Sequence, residues 1–494
     1  MEERVHIPVG PPADNPLPSY WHDPKSPLSN VIEPETDNPA QPYDYGIIGS
    51  GISGAMIADF LLLAQPDARL VMIEARDICS GATGRNGGHT KAASYRSYLQ
   101  HVQELGKDEA LKIARLEYQN MTETHRKAAE LTVDCEGGIC PTIDFIYDQE
   151  SFERGKRAIQ ALQADADSEE KGPGCRAYYR IYERDDVIQK NGIVAVQSKN
   201  SFLKQEERLA GAFEYVAGSI NAYKFTTGIL HNCVQRGLRL CTHTLVHDIK
   251  PSMHGSNHSQ HRMWDIFTQC STITATNVIL ATNAYTPYLL KDLQGAIVPM
   301  RGQITAQRPG NATTLPNPLH ATYSFIYKAG YDYMIPRPLR NNNNKNNTQH
   351  IIIGGGLGRL PHDSRASEFG TVDDTRLNPA ISAYLRASLP GYFGAANGGE
   401  QTEHDASGRI VQEWTGIMGA TADGRPFVGE VPGKKGLWVS AGFNGHGMVL
   451  CLKSAEALAG MMRTGAVPRW FPESFLVTAE RLETTCRFRA RTDR

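Results

Sequence analysis

Apolar and polar positions alternate along this chain in two patterns, one typical of buried strands and one typical of amphipathic helices. Residues 45–48 and 69–73 are short apolar runs, and residues 55–63 between them carry small and apolar side chains up to a break at Pro66-Asp67. Short apolar runs on both sides of a helix predict a strand–helix–strand unit of a parallel sheet.

Further elements follow from the same spacing rules. Apolar residues recur every three or four positions at 99–130, 152–166 and 222–236, which predicts helices. Strand patterns fall at 142–147, 239–242, 245–246, 271–282, 298–303, 331–336 and 349–354, and the Asn-rich stretch 341–347 is expected to be a solvated hairpin tip. The predicted fold class is α/β (α+β overall), with a Rossmann-like nucleotide-binding domain interleaved with an antiparallel-sheet domain.

Length and charge narrow the class of protein. The chain has 494 residues, enough for two sizeable domains, and a formal net charge of -2 gives no reason to expect nucleic acid as a partner. No apolar run approaches the roughly 20 residues of a membrane span, and the polar N-terminus does not resemble a signal peptide. Nine scattered cysteines fit a reducing compartment, so we expect a cytoplasmic protein without a membrane partner.

The first glycine motif is Gly49-Ser50-Gly51-Ile52-Ser53-Gly54, placed between the first predicted strand and helix. The first glycine permits the tight turn, the second lets backbone N–H groups approach a pyrophosphate, and Gly54 lets the helix pack on the strand. Glu74 ends the second strand, where a carboxylate accepts hydrogen bonds from ribose hydroxyls. The unit therefore predicts a dinucleotide site formed by Gly49, Gly51, Ile52, Ser53, Gly54 and Glu74, and we place Ala75 beside it.

A second glycine-rich stretch follows Glu74. Residues 79–89 read C-S-G-A-T-G-R-N-G-G-H, and we call them the R-N-G-G loop. This stretch resembles the flavoprotein amine oxidases of the D-amino-acid oxidase superfamily, especially the branch with glycine, sarcosine and gamma-glutamylputrescine oxidases and many uncharacterised fungal relatives. The resemblance implies FAD rather than NAD, with contacts from Ser80, Thr83, Gly84, Arg85, Asn86, Gly87 and Gly88.

Two later motifs carry the same resemblance. The A-T-N-A-Y segment at residues 281–285 is similar to one of this branch, and D-G-R-P followed by G-F-N-G-H-G is similar to the family segment that closes over the flavin ring. Physically, the latter is another strand, glycine turn and helix start aimed at an anionic group. The resemblance adds these expected FAD contacts: Val246, Thr282, Asn283, Gly424, Gly442, Asn444, Gly445, His446, Gly447 and Met448.

The resemblance also implies the reaction that the protein catalyses, and it implies no metal ion. A small amine or amino acid would lose a hydride to flavin N5, the imine would hydrolyse, and O2 is the expected electron acceptor, giving hydrogen peroxide. Candidate catalytic residues are His89, Lys91, Arg301 and Tyr333. Three of them have a structural alternative: His89 can pack on the loop, Lys91 can be solvated, and Arg301 can form a structural ion pair. Sarcosine-oxidase-like relatives have an oxygen-activating lysine where Gly358, beside Arg359, stands here, which leaves oxidase versus dehydrogenase open.

Other interpretations of these motifs remain. The fold would also suit oxidation of a hydroxy acid or another non-amine, or a non-catalytic flavin- or nucleotide-binding protein. Cys135 and Cys140 share a C-x4-C spacing used by redox-active flavin reductases, although those enzymes place the pair close behind the first glycine motif. The G-G-G-L-G stretch at residues 354–358 mimics a nucleotide loop, but Pro361 and polar residues follow where a helix should begin, so we assign it to a sheet edge facing the flavin.

The motifs define a discontinuous domain organisation. We expect an N-terminal extended arm at 1–42 that packs through Tyr20 and Trp21, an FAD-binding domain at 43–98, 208–290 and 405–465, a substrate domain at 99–207 and 291–404, and a C-terminal tail at 466–494. Some relatives attach FAD covalently through a histidine in the loop or a cysteine in a later strand. Arg85, or its neighbour, and Gly416 occupy those positions here, so FAD is expected to be noncovalent. His89, several residues further along the loop, is the one exception left open.

Overall fold

A computed structural model of the chain describes residues 2–31, 41–190, 207–253, 263–309, 319–338, 349–393 and 408–485. The Asn-rich stretch 341–347, expected to be a hairpin tip, lies outside these residues. The strands are β1 (Tyr43–Ile48), β2 (Leu70–Ile73), β3 (His89–Thr90), β4 (Gly138–Ile146), β5 (Arg180–Glu183), β6 (Gly211–Ser219), β7 (Arg239–Cys241), β8 (Val246–Pro251), β9 (Trp264–Thr268), β10 (Thr272–Leu280), β11 (Ile297–Gln307), β12 (Thr322–Tyr327), β13 (Gly330–Pro336), β14 (Ile351–Gly354), β15 (Ile410–Thr421), β16 (Phe427–Glu430) and β17 (Leu437–Ala441).

The helices connect and cover these strands. In chain order they are α1 (Glu2–Val5), α2 (Ile52–Ala64), α3 (Tyr98–Leu105), α4 (Lys107–Glu130), α5 (Gln149–Asp165), α6 (Arg184–Lys190), α7 (Ala222–Gln235), α8 (Thr286–Leu289), α9 (His362–Ala366), α10 (Pro379–Phe393), α11 (Cys451–Thr464) and α12 (Ala479–Thr485). Within the described ranges, none of them combines the length and apolarity that a bilayer crossing requires.

The first sheet is the predicted Rossmann-like sheet. Its main path is β16-β17-β10-β1-β2-β7, in which β17, β10, β1, β2 and β7 run parallel to one another and β16 runs antiparallel to β17. Strand β9 pairs antiparallel with β10, and β8 pairs antiparallel with β9. The four residues of β2 are all buried, as expected for a strand covered on both faces. Helix α2 packs against both α7 and α11, which explains why it buries small and apolar residues on almost every side.

The second sheet is largely antiparallel, in the order β15-β11-β14-β13-β12-β4-β6-β3 with β5 beside β6; β4 and β12 form a parallel pair. The combination of the two sheets confirms the predicted fold class. The spacing at 99–130 predicted one helix, but Gly106, with φ +85°, separates α3 from α4.

Strand membership differs from the predicted segment boundaries. Strands β3, β6 and β15 belong to the second sheet, although residues 43–98, 208–290 and 405–465 were assigned to the FAD-binding domain. The difference has a physical reason, because β15 forms an eleven-pair ladder with β11, from Ile297↔Thr421 to Gln307↔Ile410, and this long-range pairing leaves no local sequence signal. The chain therefore crosses between the sheets inside the predicted segments, beside the glycine turns.

Candidate cofactor and substrate site

A cavity of about 420 Å³ is lined by residues of both sheets. One part of its wall consists of the β1–α2 turn, the end of β2 and residues 244–246. Another part consists of the R-N-G-G loop and the turn before α11. Strands β11, β12 and β13 of the second sheet contribute Gln303, Ser324 and Tyr333 to the same wall.

The β1–α2 turn requires its glycines. A Cβ on Gly49, where φ is +104°, would lie 2.6 Å from the Ala281 carbonyl oxygen, and a Cβ on Gly54 would lie 2.0 Å from the Gly49 carbonyl oxygen. A Cβ on Gly51 would come 3.1 Å from Thr83 Oγ1, which accepts a hydrogen bond of 3.0 Å from the Ile52 N–H. The turn is therefore pressed onto β10 and the R-N-G-G loop, and it directs the start of α2 into the cavity.

Glu74 is fixed beside this turn at the end of β2. Its Oε2 accepts hydrogen bonds from the Ser50 N–H at 3.0 Å and the Ser50 hydroxyl at 2.6 Å, and its Oε1 accepts one from the Arg76 N–H at 3.1 Å. Glu74 is the only carboxylate among the described residues that line the cavity. The geometry agrees with the place expected for a ribose-binding carboxylate.

The R-N-G-G loop turns the Arg85 side chain back towards the protein. Its Nε donates to the Ser80 carbonyl oxygen at 2.8 Å and its Nη1 to the Thr415 carbonyl oxygen at 3.0 Å, and burial lowers the pKa of Arg85 to about 10. Gly87 leaves room for the Tyr333 ring, whose Cε2 would lie 2.4 Å from a Cβ at that position. The loop thereby joins the two sheets along the cavity wall.

The turn before α11 is shaped by two asparagines with positive φ. Asn283, at φ +44°, accepts hydrogen bonds through Oδ1 from the N–H groups of Gly442 at 3.0 Å and Phe443 at 3.3 Å. Asn444, at φ +53°, accepts a 2.8 Å hydrogen bond from the Thr421 N–H and donates one of 2.8 Å to the Gly442 carbonyl oxygen. These side-chain bonds hold the glycine turn, and residues 444–448 then line the cavity.

Besides Arg96 Nε near the second sheet, two buried polar atoms of the wall lack a hydrogen-bond partner within the part of the chain that the structure describes. They are the hydroxyl oxygen of Tyr285 and Nε of Arg76. Arg76 is otherwise held by a paired contact of its Nη1 with Asp374, at 3.1 and 3.2 Å. Buried polar groups normally have partners, so these atoms indicate that a polar ligand belongs in this part of the cavity.

At the second sheet, Lys91 and Arg96 converge on one buried carboxylate. Asp144 in β4 accepts hydrogen bonds from Lys91 Nζ, from Arg96 Nη2 at 3.0 Å, and from the hydroxyls of Tyr95 at 2.7 Å and Tyr215 at 2.9 Å. Burial opposes its charge, but Arg96 and Lys91 hold the pKa of Asp144 below its usual range.

Lys91 is not solvated. Its Nζ also donates to the Ser324 hydroxyl at 2.8 Å, and burial lowers the pKa of Lys91 to about 8 against the opposing effect of Asp144. Arg96 carries its guanidinium 4.9 Å from the centre of the Tyr331 ring, and its Nε is buried without a partner among the described residues. Lys91, Arg96, Ser324 and Tyr331 all line the cavity, so this end is cationic.

His89 lies in β3, two residues before Lys91. Its Nε2 forms a 2.7 Å hydrogen bond with the Thr322 hydroxyl, and burial together with Lys91 lowers its pKa well below the usual value, so the imidazole is neutral. The side chain lines the cavity, as does the ring of Tyr333. Both predicted positions therefore reach the site, as Lys91 does.

The assignment of Arg301 as a candidate catalytic residue requires correction. Its guanidinium forms a two-point ion pair with Glu368, at 2.7 Å and 3.0 Å, and also donates to the Asp373 carbonyl oxygen at 3.0 Å. Arg301 is outside the described cavity wall, so the structural alternative applies. Arg359, beside the lysine position of the sarcosine-oxidase-like relatives, is likewise outside the wall; it pairs with Glu207 at 2.6 Å and lies over the Tyr327 ring.

The cavity brings together most of the predicted cofactor contacts. They are Gly49, Gly51, Ile52, Ser53, Glu74, Ala75, Thr83, Arg85, Asn86, Gly87, Val246, Thr282, Asn283, Asn444, Gly445, His446, Gly447 and Met448. Gly54, Ser80, Gly84, Gly88, Gly424 and Gly442 are not in the described wall, because they form the turns and loop backbone behind it. Gly355 and Leu357 of the G-G-G-L-G stretch line the wall. A short 3-10 turn begins at Leu357, where a nucleotide-binding loop would be followed by a helix.

The C-x4-C pair does not form a redox site at this cavity. Cys135 and Cys140 are free and stand outside the described wall, and burial raises the pKa of Cys135 to about 12 and that of Cys140 to about 11. Reactive cysteines are typically exposed to a positive environment that lowers the thiol pKa, and neither cysteine has a lowered pKa.

Sequence and structure comparisons agree with this geometry. The model of the FAD dependent oxidoreductase family (DAO) matches residues 44–461, so the chain belongs to this family. This confirms the predicted superfamily and makes the protein an FAD-dependent oxidoreductase. Among curated relatives, glycine oxidase of Pseudomonas aeruginosa is 29% identical over 203 residues, which cover 41% of this chain and 45% of that protein. The chain thus spans about half the length of the curated relatives it matches.

Solved structures share the fold over most of the chain. Glycine oxidase from Geobacillus kaustophilus superposes with a TM-score of 0.63 at 18% identity, covering 89% of this chain and 99% of that one. L-amino acid deaminase from Proteus vulgaris, with its specific insertion deleted, gives a TM-score of 0.62 at 15% identity over 92% of this chain and 98% of that one.

The described residues fit FAD. The Gly51 position leaves open the approach to the start of α2, Glu74 is held in the wall at the end of β2, and the Tyr285 hydroxyl and Arg76 Nε supply unused donors. Sequence reasoning missed Arg76, Tyr285, Arg96 and Asp144. A signal existed for Asp144, because a carboxylate inside the apolar strand T-I-D-F-I needs cationic or hydrogen-bonding partners. Arg96 carried no such signal.

Proposed function

We propose that this protein oxidises the C–N bond of a small amine or amino acid to an imine, with O2 as electron acceptor. FAD, when bound, supplies the chemistry by accepting a hydride at its N5 from the carbon beside the nitrogen. The names of the similar proteins support this choice, because glycine oxidase and L-amino acid deaminase both act on amino acids.

The observation that carries the proposal is the charge at the second-sheet end of the cavity. One carboxylate, Asp144, faces two cations, Lys91 and Arg96, which leaves one positive charge in excess. A buried excess charge is costly unless an anion joins it. An amine that carries a carboxylate meets this requirement, whereas a polyamine would add further positive charge. The proposal therefore favours an amino acid.

The side chains then have separate tasks. Asp144 fixes the directions of Lys91 and Arg96, and the Tyr331 ring supports the Arg96 guanidinium. The unused Nε of Arg96 is the donor available to a substrate carboxylate. Neutral His89 is one group in the wall that can form a hydrogen bond with the substrate nitrogen without repelling it. Tyr333 supplies an aromatic wall beside Gly87.

The test is anaerobic mixing of the FAD-loaded protein with matched pairs of compounds. Each pair contains an amino acid and the corresponding amine or methyl ester without the carboxylate, and a third set contains hydroxy acids. We expect flavin absorbance to bleach with an amino acid and only weakly with its partner. Arg96→Met should raise the apparent substrate Kd by roughly tenfold to a hundredfold, because a charge-assisted hydrogen bond is lost, while flavin content stays unchanged.

The other outcomes are equally informative. Bleaching by hydroxy acids and by no amine would establish the alternative oxidoreductase. A panel in which nothing bleaches the flavin would favour a flavin-binding protein without catalysis. Equal bleaching by both members of each pair would remove Arg96 as a carboxylate donor. Admission of air after bleaching tests the acceptor, since recovery of the oxidised spectrum with hydrogen peroxide is the result expected for an oxidase.

A further inference from the structure

Three consecutive backbone carbonyls of the R-N-G-G loop accept hydrogen bonds from side chains outside the cavity wall. The Gly84 oxygen accepts from the Ser19 hydroxyl at 2.7 Å, the Arg85 oxygen from Trp414 Nε1 at 2.8 Å, and the Asn86 oxygen from Trp21 Nε1 at 2.5 Å. Two of the three donors come from the N-terminal arm, more than sixty residues earlier in the chain. The loop is therefore held from behind while its other side lines the cavity.

Aromatic contacts join these donors into one unit. The Tyr20 ring stacks on Trp414, with centroids 6.1 Å apart at 14°, and meets Trp21 edge to face at 5.4 Å. Trp21 is 3% exposed, and the Arg337 guanidinium lies 4.8 Å from the centre of its ring. This packing fixes both indole N–H groups in direction. We call residues 19–21 the arm clamp.

The arm also contacts the cofactor site through residues that precede the arm clamp. The Leu17 N–H donates to the Asp374 carbonyl oxygen at 2.9 Å, and Arg76 Nη1 donates to the Ala13 carbonyl oxygen at 3.1 Å. Pro12 itself lines the cavity. Residues 12–21 thus run from the edge of the cavity near Arg76 to the back of the R-N-G-G loop.

We propose that the arm clamp is a positioning element of the FAD site, with Trp21 and Ser19 as its positioning residues. The loop contains Gly81, Gly84, Gly87 and Gly88, and glycines lose more backbone freedom on ordering than other residues. A loop that is ordered before FAD arrives binds at a smaller entropic cost. The arm thereby supplies cofactor affinity without a cofactor contact from residues 19–21.

A pair of tryptophan variants tests the proposal. Trp21→Phe removes the N–H donor and keeps an aromatic ring, and Trp264→Phe is the matched control. Trp264 is also buried and donates its Nε1 to a backbone carbonyl, that of Lys435 at 2.9 Å, but it stands outside the described cavity wall. The apo-proteins are titrated with FAD by flavin fluorescence, and their thermal unfolding is recorded without FAD.

We expect Trp21→Phe to weaken FAD binding about tenfold, which is the effect of losing one hydrogen bond. Trp264→Phe should lower the Tm of the apo-protein by a similar amount but leave the affinity for FAD unchanged. Unchanged FAD affinity in Trp21→Phe, or equal weakening in both variants, would overturn the proposal. The measurement uses FAD binding alone, so its result is independent of the proposed reaction.

A second pair covers the case in which Trp21→Phe does not fold. Ser19→Ala removes the hydroxyl that donates to Gly84. Ser26→Ala is its control, because the Ser26 side chain caps the next short helix by accepting from the Leu28 N–H at 3.3 Å and has no contact with the loop among the described bonds. Weaker FAD binding in Ser19→Ala alone supports the clamp, and equal FAD affinity in the two variants contradicts it.

Discussion

Gly416 lies directly against Arg85 in the cavity wall: a Cβ added to Gly416 would be 3.1 Å from the Arg85 Cβ. These are the positions at which some relatives of the superfamily carry the cysteine or, at Arg85 or its neighbour, the histidine that bonds to flavin. Neither glycine nor arginine can form that bond. We therefore predict noncovalent FAD, which stabilises the fold by mass action.

Acid precipitation measures this directly. Yellow colour should stay in the supernatant after the denatured protein is removed. Cys451 also lines the cavity, but burial raises the pKa of its thiol to about 12, which leaves it protonated and unreactive. A flavin-bearing tryptic peptide that contains His89 or Cys451 would show the prediction wrong.

Gly51→Val should give folded but colourless protein. The added side chain would meet Thr83 Oγ1 and stand where the pyrophosphate must lie, while φ at Gly51 is -69° and imposes no backbone strain. Circular dichroism reports the fold and the absorbance near 450 nm the flavin, on the order of one flavin per chain in the wild type. Gly138→Val, at a position with open space around its Cβ, is the control that should keep its colour.

His89→Ala should lower the rate of anaerobic flavin reduction at least about tenfold, in line with a group that hydrogen-bonds the reacting substrate. The comparison is Thr322→Val, which removes the 2.7 Å partner of the imidazole and leaves the ring in place. Its rate should fall less. A rate unaffected by loss of His89 would assign the residue to packing of the loop.

Titration of Glu117 in α4 should contribute to the pH dependence of the free energy of unfolding. Burial raises the pKa of Glu117 from 4.5 to about 7. The folded state holds this proton more tightly than the unfolded chain does. The protonated carboxyl therefore contributes to the free energy of unfolding fully below about pH 4.5, and this contribution is lost as pH rises through about 7. Glu117→Gln should remove this loss and raise the free energy of unfolding at pH 8 on the order of 1 kcal/mol.

Glu123 on the same helix provides a control of opposite sign. Its hydrogen bond from Arg126 lowers the pKa of Glu123, so its contribution is present at high pH and is lost as pH falls through the folded-state pKa. Glu123→Gln should therefore be slightly less stable than wild type at pH 8. Urea unfolding of the apo-proteins at pH 5 and pH 8 separates the two cases. A Glu117→Gln variant with the wild-type slope between these pH values would contradict the assignment.

The parts of this molecule that were predictable from sequence are those with local causes. The turn at Gly49 and Gly51 follows from steric limits within six residues, and Glu74 follows from the length of one strand. The ion pair of Arg301 with Glu368 joins residues 67 positions apart, and a motif that contains only the arginine cannot reveal its partner.

The same limit applies to Trp21. The sequence indicated that it packs, but its bond to the Asn86 carbonyl depends on where the arm crosses the folded chain. Likewise, the parallel pairing of β4 with β12 depends on the assembled second sheet, so the cationic end of the cavity became visible only when Asp144 and Ser324 were placed side by side in it.

The central position of β10 bears on how this chain folds as it is synthesised. β10 is flanked by β1, made early, and by β17, made about 160 residues later, and the glycine turn that completes the cavity follows β17. Strand β9 pairs with residues 272–275 of β10 and β17 with residues 278–280, so a nascent chain halted before Leu437 would leave only residues 278–280 of that edge unpaired and would lack the part of the FAD pocket that follows β17. Because β10 and β17 are far apart in the sequence, this pairing is expected to form late in folding, and the complete FAD pocket exists only once the part of the chain after β17 has been made.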